Sequence, residues 1–461
     1  MELAEKLSLL ATSAKYDASC ASSGSGASSG GGASPVSGEA GRNGANKSNP
    51  KRADGSRFGV REHAGVCHSW TEDGRCVSLL KVLFSNACRF DCAYCVNRAS
   101  ADIKRTSFTI DELADLTCEF YRRNYIEGLF LSSGIFADSD IVMEKLIGTA
   151  KKLRNEAGFG GYIHMKIIPG TGEKMIREAG RWADRLSANI ELPTDRSLQY
   201  LAPQKSGKVI LGSMKEAFNI GAENEEDKRK FRLAGKNVVP VFAPAGQSTQ
   251  LIVGATPDDD LTILKLSGAL YRNYELRRVY YSAYIPVGLE GGAGIPDPRL
   301  QMYFPSASPA PPHAIFPNEA PKSLMLREHR LYQADWLLRF YGFTPGEVLE
   351  GDAAFLETSM DPKTAWALRH LDFFPVEVNS ASYDELLRVP GIGAKSGRRI
   401  IETRRSHSLS FDTLRRLGVI LKRARYFITA AGAFLDSPDD PGRLRRLLSD
   451  EDTLQPLLFE F

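Results

Sequence analysis

Residues 79–95 read Leu-Leu-Lys-Val-Leu-Phe-Ser-Asn-Ala-Cys-Arg-Phe-Asp-Cys-Ala-Tyr-Cys, an apolar run that breaks into three closely spaced thiols, Cys88, Cys92 and Cys95. The run Ser78–Leu83 has the length and branched content of a buried strand, so the thiols fall on the loop that follows it. Further along, strand-like runs at Gly128–Ser132, Gly161–Ile167, Arg185–Glu191, Asn237–Phe242 and Arg278–Tyr284 alternate with longer amphipathic stretches. Thr109-Ile110-Asp111-Glu112 is a capping-box pattern and predicts a helix running to about Arg123. Strands alternating with helices predict a parallel sheet with crossover helices. Six strands suit an α/β fold of the partial, TIM-like (β/α)6 type, with its site at the C-terminal ends of the strands.

The flanks divide the 461 residues further. An N-terminal helical segment is expected over 1–18. A Gly/Ser-rich insert over 19–57 cannot bury enough apolar surface to offset its ordering entropy and is expected to be disordered. The barrel is assigned to 58–325, with a Pro-, Gly- and Ala-rich stretch at 290–325 expected over its mouth. An all-α domain is assigned to 326–461, opening on a helix from Leu326 to Tyr341. At 43% hydrophobic and 25% charged residues, the composition is that of a globular protein. No apolar run approaches the roughly 20 residues that cross a bilayer, and the first residues are acidic where a signal peptide is basic. A cytoplasmic chain without a membrane partner is therefore expected.

Seven cysteines, an odd number, argue for metal or redox chemistry rather than a disulfide framework. Three thiolates at Cys-x3-Cys-x2-Cys spacing can hold three irons of a [4Fe–4S] cubane and leave the fourth open. The alternative is structural zinc, which needs a fourth ligand such as Cys67, Cys76 or His68. The triplet resembles the motif of the radical S-adenosylmethionine (SAM) superfamily. That resemblance implies a [4Fe–4S] cluster, S-adenosyl-L-methionine chelated at the open iron, and an electron donor such as flavodoxin or ferredoxin. It also implies a place for Tyr94 beside the adenine. Ser132, Ser133 and Gly134 resemble the segment that binds the SAM amino group, and Asn189 and Glu191 the polar contacts at a strand end. Gln250 to Gly254 resembles the family's adenine-side segment, although it starts with Gln where the family has Gly. Lys15-Tyr16-Asp17, Cys67-His68-Ser69-Trp70, Cys76 to Lys81 and Arg327 to Trp336 are similar to the DNA modification or repair radical SAM family, over nearly the whole chain apart from the insert.

A second motif lies at Leu386-Leu387-Arg388-Val389-Pro390-Gly391-Ile392-Gly393-Ala394-Lys395, between two amphipathic stretches. Glycines at 391 and 393 allow a sharp turn close to a phosphate, and the amides that open the next helix then face the anion. Lys395, Arg398 and Arg399 add charge beside them. Between Val376 and Phe427 there are eleven Lys or Arg against five Asp or Glu, so the basic excess sits on one small region of a chain whose net charge is +3. The stretch resembles a helix-hairpin-helix DNA-binding motif, which implies contacts from Pro390, Gly391, Ile392, Gly393, Lys395, Arg398 and Arg399. Leu417 to Lys422 can form a degenerate second hairpin. The alternative is a tight turn with a solvated basic face.

Other residues admit two readings each. Cys20, Cys67 and Cys76 are buried thiols or ligands of a second cluster, and Cys118 is a core residue. His164 and Lys166 alternate on one strand and can both face the barrel interior, as can residues around Tyr281, Ser282 and Tyr284. Arg327, His329 and Arg330 bind an anion or form a helical salt-bridge face. The combined expectation is a radical SAM enzyme acting on nucleic acid, with DNA modification or repair first. Modification of tRNA or rRNA, and a non-catalytic DNA-binding iron–sulfur protein, are the alternatives.

Overall fold

The computed structural model describes residues 1–15, 66–70, 76–234, 241–284, 322–436 and 440–449. The chain opens with α1 (Leu3–Lys15), β1 (Val66–Trp70) and β2 (Cys76–Leu83). Then come α2 (Ile110–Arg122), β3 (Gly128–Ser132), α3 (Ser139–Asn155), β4 (Tyr162–Lys166), α4 (Glu173–Trp182) and β5 (Arg185–Ser187). The barrel section ends with α5 (Asp195–Leu201), α6 (Gly207–Leu233), β6 (Gln247–Val253), α7 (Asp260–Tyr274) and β7 (Arg278–Ala283). Strands β2 to β7 pair in parallel and in sequence order, with β1 added antiparallel to β2. This is the partial (β/α)6 barrel. The capping box is present: Thr109 accepts from the Glu112 amide and Glu112 bonds back to Thr109.

One strand is displaced from its expected place. Residues 241–242 lie in a loop, 235–240 fall outside the described residues, and the fifth parallel strand is Gln247–Val253. The reason is chemical. Ser248 and Gln250 face the polar barrel interior, so this strand lacks the apolar run that marks the others, while Phe242 instead packs its ring onto Gly180 of α4. The expected strand to Glu191 is regular only to Ser187 and rejoins the sheet through a single bridge between Glu191 and Leu251.

The two sheet faces differ. Leu80, Val82, Leu129, Leu131, Ile163, Met165 and Leu186 pack with the helices in the main core. Phe130 and Leu79 face the other way, in a separate small cluster with Val77 and Tyr162. α1 docks outside, burying Leu10 and Ala14, and Lys6 pairs with Glu112 at 2.8 Å.

After β7 the described chain resumes with α8 (Lys322–Phe340), which closes the free edge of that strand with side chains. The Tyr332 hydroxyl accepts from the Tyr281 amide and donates to its carbonyl, and Glu328 accepts from the Ala283 amide at 2.6 Å. Burial pushes the Glu328 carboxyl up to about 7, against the lowering effect of the Ala283 amide. Arg327 is 2% exposed and bonds Asp260 at 2.7 Å, while Arg330 bonds the Thr358 carbonyl, so both arginines hold the fold together. Tyr281 faces outward and meets Asp335 and Ser267.

The chain continues through α9 (Pro345–Val348), α10 (Pro362–Arg369), β8 (Val376–Glu377), α11 (Tyr383–Arg388), α12 (Ala394–Thr403), α13 (Phe411–Arg416) and α14 (Leu421–Ala424). It ends in β9 (Ile428–Ala430), β10 (Ala433–Phe434) and α15 (Pro441–Leu448), the short strands adding a small ribbon to a helical domain. Two hairpins, α11–α12 and α13–α14, turn on Gly391 (φ 87°) and Gly418 (φ 90°). They are joined where the Ile420 amide donates to the Gly391 carbonyl at 2.9 Å. Among the described residues no helix is long and apolar enough to cross a membrane.

The Arg327–Asp260 pair is fully buried, and removing one partner leaves an uncompensated charge. Arg327→Met is expected to cost about 3 kcal/mol in urea unfolding. Asp260→Asn in the same background should recover part of that loss.

Candidate active site and nucleic-acid interface

The thiol loop has almost no regular structure, and one guanidinium gives it its shape. Arg105 donates from Nη1 to the carbonyls of Asn86 (2.6 Å) and Asn97 (2.9 Å), and from Nη2 to those of Arg98 (2.7 Å) and Ala101 (3.0 Å). Asn86 closes the base of the loop by bonding the Lys104 carbonyl and the Thr106 amide. Two tethers fix the loop over the strand ends: the Ala93 amide to the Leu201 carbonyl at 2.7 Å, and the Arg89 amide to the Ile135 carbonyl at 2.8 Å.

Inside this frame a turn joins Cys92 to Cys95, the Cys95 amide donating to the Cys92 carbonyl at 2.9 Å. Cys92 is buried, and Cys88 and Cys95 are half-buried. The amides of Phe90 and Asn97 each donate to a sulfur, Cys88 Sγ and Cys95 Sγ, at 3.4 Å. Burial raises the Cys92 thiol, and burial together with the charge of Cys92 pushes Cys95 up to about 12. Cys88 acts on both, so the three thiols share one electrostatic environment.

Among the described residues no three His, Cys, Asp or Glu side chains are placed to hold a single metal ion. A cubane makes a different demand, one thiolate on each of three irons, and three soft donors on one loop meet it. The thiols must lose their protons to bind, and iron supplies the charge that burial withholds.

Beside the thiols lies a buried polar group that the sequence did not single out. Lys205, in the turn between α5 and α6, donates to Glu191 Oε1 at 2.7 Å and to the Tyr94 hydroxyl at 3.3 Å. Burial opposes its charge, but Glu191, Tyr94 and Cys92 outweigh that and hold its pKa well above the ordinary lysine value. Burial, and then Glu191, push the Tyr94 hydroxyl up. Glu191 adopts φ 67°, a left-handed conformation that turns its carboxylate towards Lys205 at the end of the β5 segment.

The other expected residues are spread around the mouth. Ser132 is buried at the end of β3, and the Ser133 hydroxyl bonds the Gly134 carbonyl at 2.8 Å. Gly134 passes so close to the thiol loop that a Cβ there would lie 2.3 Å from the Ala87 carbonyl oxygen. Asn189 and Gln250 pair at 3.1 Å, both buried, and Asn189 Oδ1 has no hydrogen-bond partner among the described residues. Gly254, at φ 85°, is packed by Leu324 of α8 and faces that helix. On the inner wall His164 Nε2 meets Ser187 Oγ at 2.9 Å, and Lys166 lies two residues on. Cys118 is buried in α2. Register sets Cys67 opposite Leu79 and Cys76 opposite Trp70, and Cys20 lies outside the described residues.

At the hairpin, Lys395, Arg398 and Arg399 are exposed, whereas Pro390 and Ile392 are buried. A Cβ on Gly391 would meet the Ile420 carbonyl oxygen at 2.6 Å, so glycine is required there; Gly393, at φ −98°, is not conformationally bound to be glycine. Ser396 Oγ accepts the Gly393 amide at 2.8 Å, and the Ala394 amide bonds the Tyr341 hydroxyl. The N-terminus of α12, where helix amides lack intrahelical acceptors and the helix dipole is positive, lies beside these three exposed cations, with Ser396 itself buried. From beneath, Lys363 Nζ donates to the Ile392 carbonyl at 2.6 Å, and burial lowers this lysine to about 7.

A family model described as the helix-hairpin-helix motif matches residues 373–421. No curated protein matches the chain. Among solved structures, the chain is similar to the FeFe-hydrogenase maturase HydG from Carboxydothermus hydrogenoformans, at 14% identity and TM-score 0.35, covering 44% of each chain. Methylornithine synthase (PylB) aligns at 14% identity and TM-score 0.34, over 47% of this chain and 56% of that one. A radical SAM methyltransferase from Sphaerobacter thermophilus aligns at 13% identity and TM-score 0.31, over 61% and 74%. The chain spans about half the length of the first two.

Arg105→Met should release four carbonyls at once. Hydrogen exchange of the loop amides of Arg98, Ala99 and Ala101 is expected to accelerate at least about tenfold, since each bond to a charged donor contributes about 1.5–3 kcal/mol. Exchange of β3 amides should not change.

Proposed function

We propose that this chain is a radical SAM enzyme that acts on a nucleic-acid substrate, DNA before RNA, and that Cys88, Cys92 and Cys95 hold its [4Fe–4S] cluster. The observation that carries the reading is the seating of three thiols on one Arg105-framed loop after β2, at the C-terminal mouth of a parallel barrel. When bound, the cluster leaves one iron for the amino and carboxylate groups of S-adenosyl-L-methionine and supplies the electron that releases a 5′-deoxyadenosyl radical.

The remaining roles belong to the chain's own residues. The amides of Phe90 and Asn97 lower the cost of charge on two sulfurs. Lys205 keeps a positive charge beside the thiolates and a bound carboxylate. Ser132, Ser133 and Gly134 offer backbone groups to the SAM amino group, and Tyr94 lines the adenine side. Asn189 Oδ1, buried and unpartnered, is an acceptor for a ribose hydroxyl, oriented by Gln250. Glu191 contributes by holding Lys205, and Gly254 by admitting α8. A small one-electron donor, flavodoxin or ferredoxin in type, completes the system.

The hairpin supports a nucleic-acid substrate. Its helix N-terminus and three exposed cations suit backbone phosphate, a contact that does not read sequence. A target inside a duplex must then leave the stack to reach the barrel mouth. We assign 1–18 to a leading helical segment, 19–57 to an insert, 58–325 to the barrel and 326–461 to the hairpin domain. Modification or repair of DNA is the reaction class, and the place of action is the cytoplasm.

Two experiments test this. Anaerobically reconstituted protein given dithionite and S-adenosyl-L-methionine should release 5′-deoxyadenosine, and Cys92→Ala should lose both that product and the iron–sulfur absorbance. An intact cluster without the product would leave a non-catalytic iron–sulfur protein. Second, Lys395→Ala, Arg398→Ala and Arg399→Ala together should weaken duplex binding at least about tenfold and reduce the salt slope by about three, with 5′-deoxyadenosine release intact. Turnover on RNA alone would replace DNA by RNA in the reading.

A further inference from the structure

Barrels of this size are usually filled by branched apolar side chains. Here polar and cationic side chains share the inner wall with the small apolar cluster of Val77, Leu79 and Phe130. Phe130 faces inward, and Lys81 on β2 sets its Nζ over that ring at 5.5 Å. His164 on β4 meets the same ring edge to face at 4.5 Å between centroids and bonds Ser187 on β5. Ser187 pairs in register with Ser248 on β6, and Ser248 with Arg278 on β7. A polar row thus runs across the interior from the first parallel strand to the last.

Two members of this row carry charge without an ion pair among the described residues, although Arg278 acts at longer range on the buried Asp335. Lys81 is 6% exposed and, among the described residues, makes neither an ion pair nor a hydrogen bond. Arg278 lies over the rings of Tyr280 and Tyr332 at 5.0 and 5.5 Å, and its buried Nε has no hydrogen-bond partner among the described residues. Directly opposite it, the Ser248 hydroxyl is 1% exposed and also unpartnered. Ring faces orient a cation but do not replace the solvation that burial removes. The nearby acids are already engaged, Glu191 by Lys205, Glu328 by the Ala283 amide, and Asp335, the acid that Arg278 acts on, by Tyr271, Tyr281 and Arg339.

We propose that Lys81, Arg278 and Ser248 form an oxyanion subsite inside the barrel, and that its ligand is the phosphate of the substrate nucleotide. Arg278 presents planar donors, Lys81 a point charge and Ser248 a hydroxyl, a set that matches a phosphate group. The proposal rests on the barrel being the substrate chamber, as in the function proposed above, but not on cluster chemistry.

The test is titration calorimetry on the full-length chain, purified anaerobically, carrying Lys395→Ala, Arg398→Ala and Arg399→Ala so that the hairpin does not contribute. Probes are 2′-deoxyadenosine 5′-monophosphate, 2′-deoxyadenosine and succinate. The nucleotide is expected to bind at least about tenfold tighter than the nucleoside. Lys81→Met and Arg278→Met, each checked for a native circular-dichroism spectrum, should remove that difference. Equal binding of nucleotide and nucleoside overturns the subsite, as does a preference that survives in both variants. Succinate binding more tightly than the nucleotide overturns the phosphate assignment. Failure here leaves 5′-deoxyadenosine release intact, whereas failure of the radical reading leaves the nucleotide preference intact.

Discussion

Four carbonyl oxygens, from Asn86, Asn97, Arg98 and Ala101, turn inward onto the Arg105 guanidinium, and the rest of the candidate site is arranged on that convergence. A loop of this length has no ladder of its own to satisfy its backbone, so a planar multi-donor side chain at its centre does what a helix or sheet does elsewhere. With the carbonyls drawn to one side, the amides of Phe90 and Asn97 are left to meet sulfur. The same arrangement brings Ala87 against Gly134 and Ala93 against Leu201, so the strand ends and the thiols are set by one interaction.

The fold was legible in the sequence where burial and periodicity coincide. β2, β3, β4 and β7 lie on apolar runs, and the helix after Thr109 announced itself by its capping box. It was not legible at β6, because a strand that faces a polar interior does not look buried. The thiol spacing and the hairpin turn were visible because glycine and cysteine are chemically unlike their neighbours. Lys205 and Arg105 were not, since a lysine in a turn and an arginine in a loop carry no pattern. Only the approach of Glu191 and of four distant carbonyls gives them meaning. Arg327 and Arg330, which equally suit an anion from sequence, are committed to Asp260 and Thr358.

The hairpin is joined firmly to what precedes it. Arg388 donates to the Tyr341 carbonyl at 2.9 Å and to Glu347 at 2.8 Å, Tyr341 bonds Ala394, and Lys363 reaches under the turn to Ile392. Because Tyr341 directly follows α8, and α8 is bonded to β7, a continuous chain of hydrogen bonds runs from the last barrel strand to the hairpin turn. Whatever docks at the turn is therefore held relative to the barrel.

The side chains of α8 that meet β7 have a further effect. A parallel sheet that stops short of closure exposes a row of backbone donors and acceptors to any passing strand. Tyr332 and Glu328 occupy that row on β7 with groups that cannot propagate pairing. The helix thereby acts as a guard against strand-to-strand association between copies of the chain. It also belongs to the barrel as much as to the domain it introduces: a barrel cut away at residue 325 would lose its own edge protection.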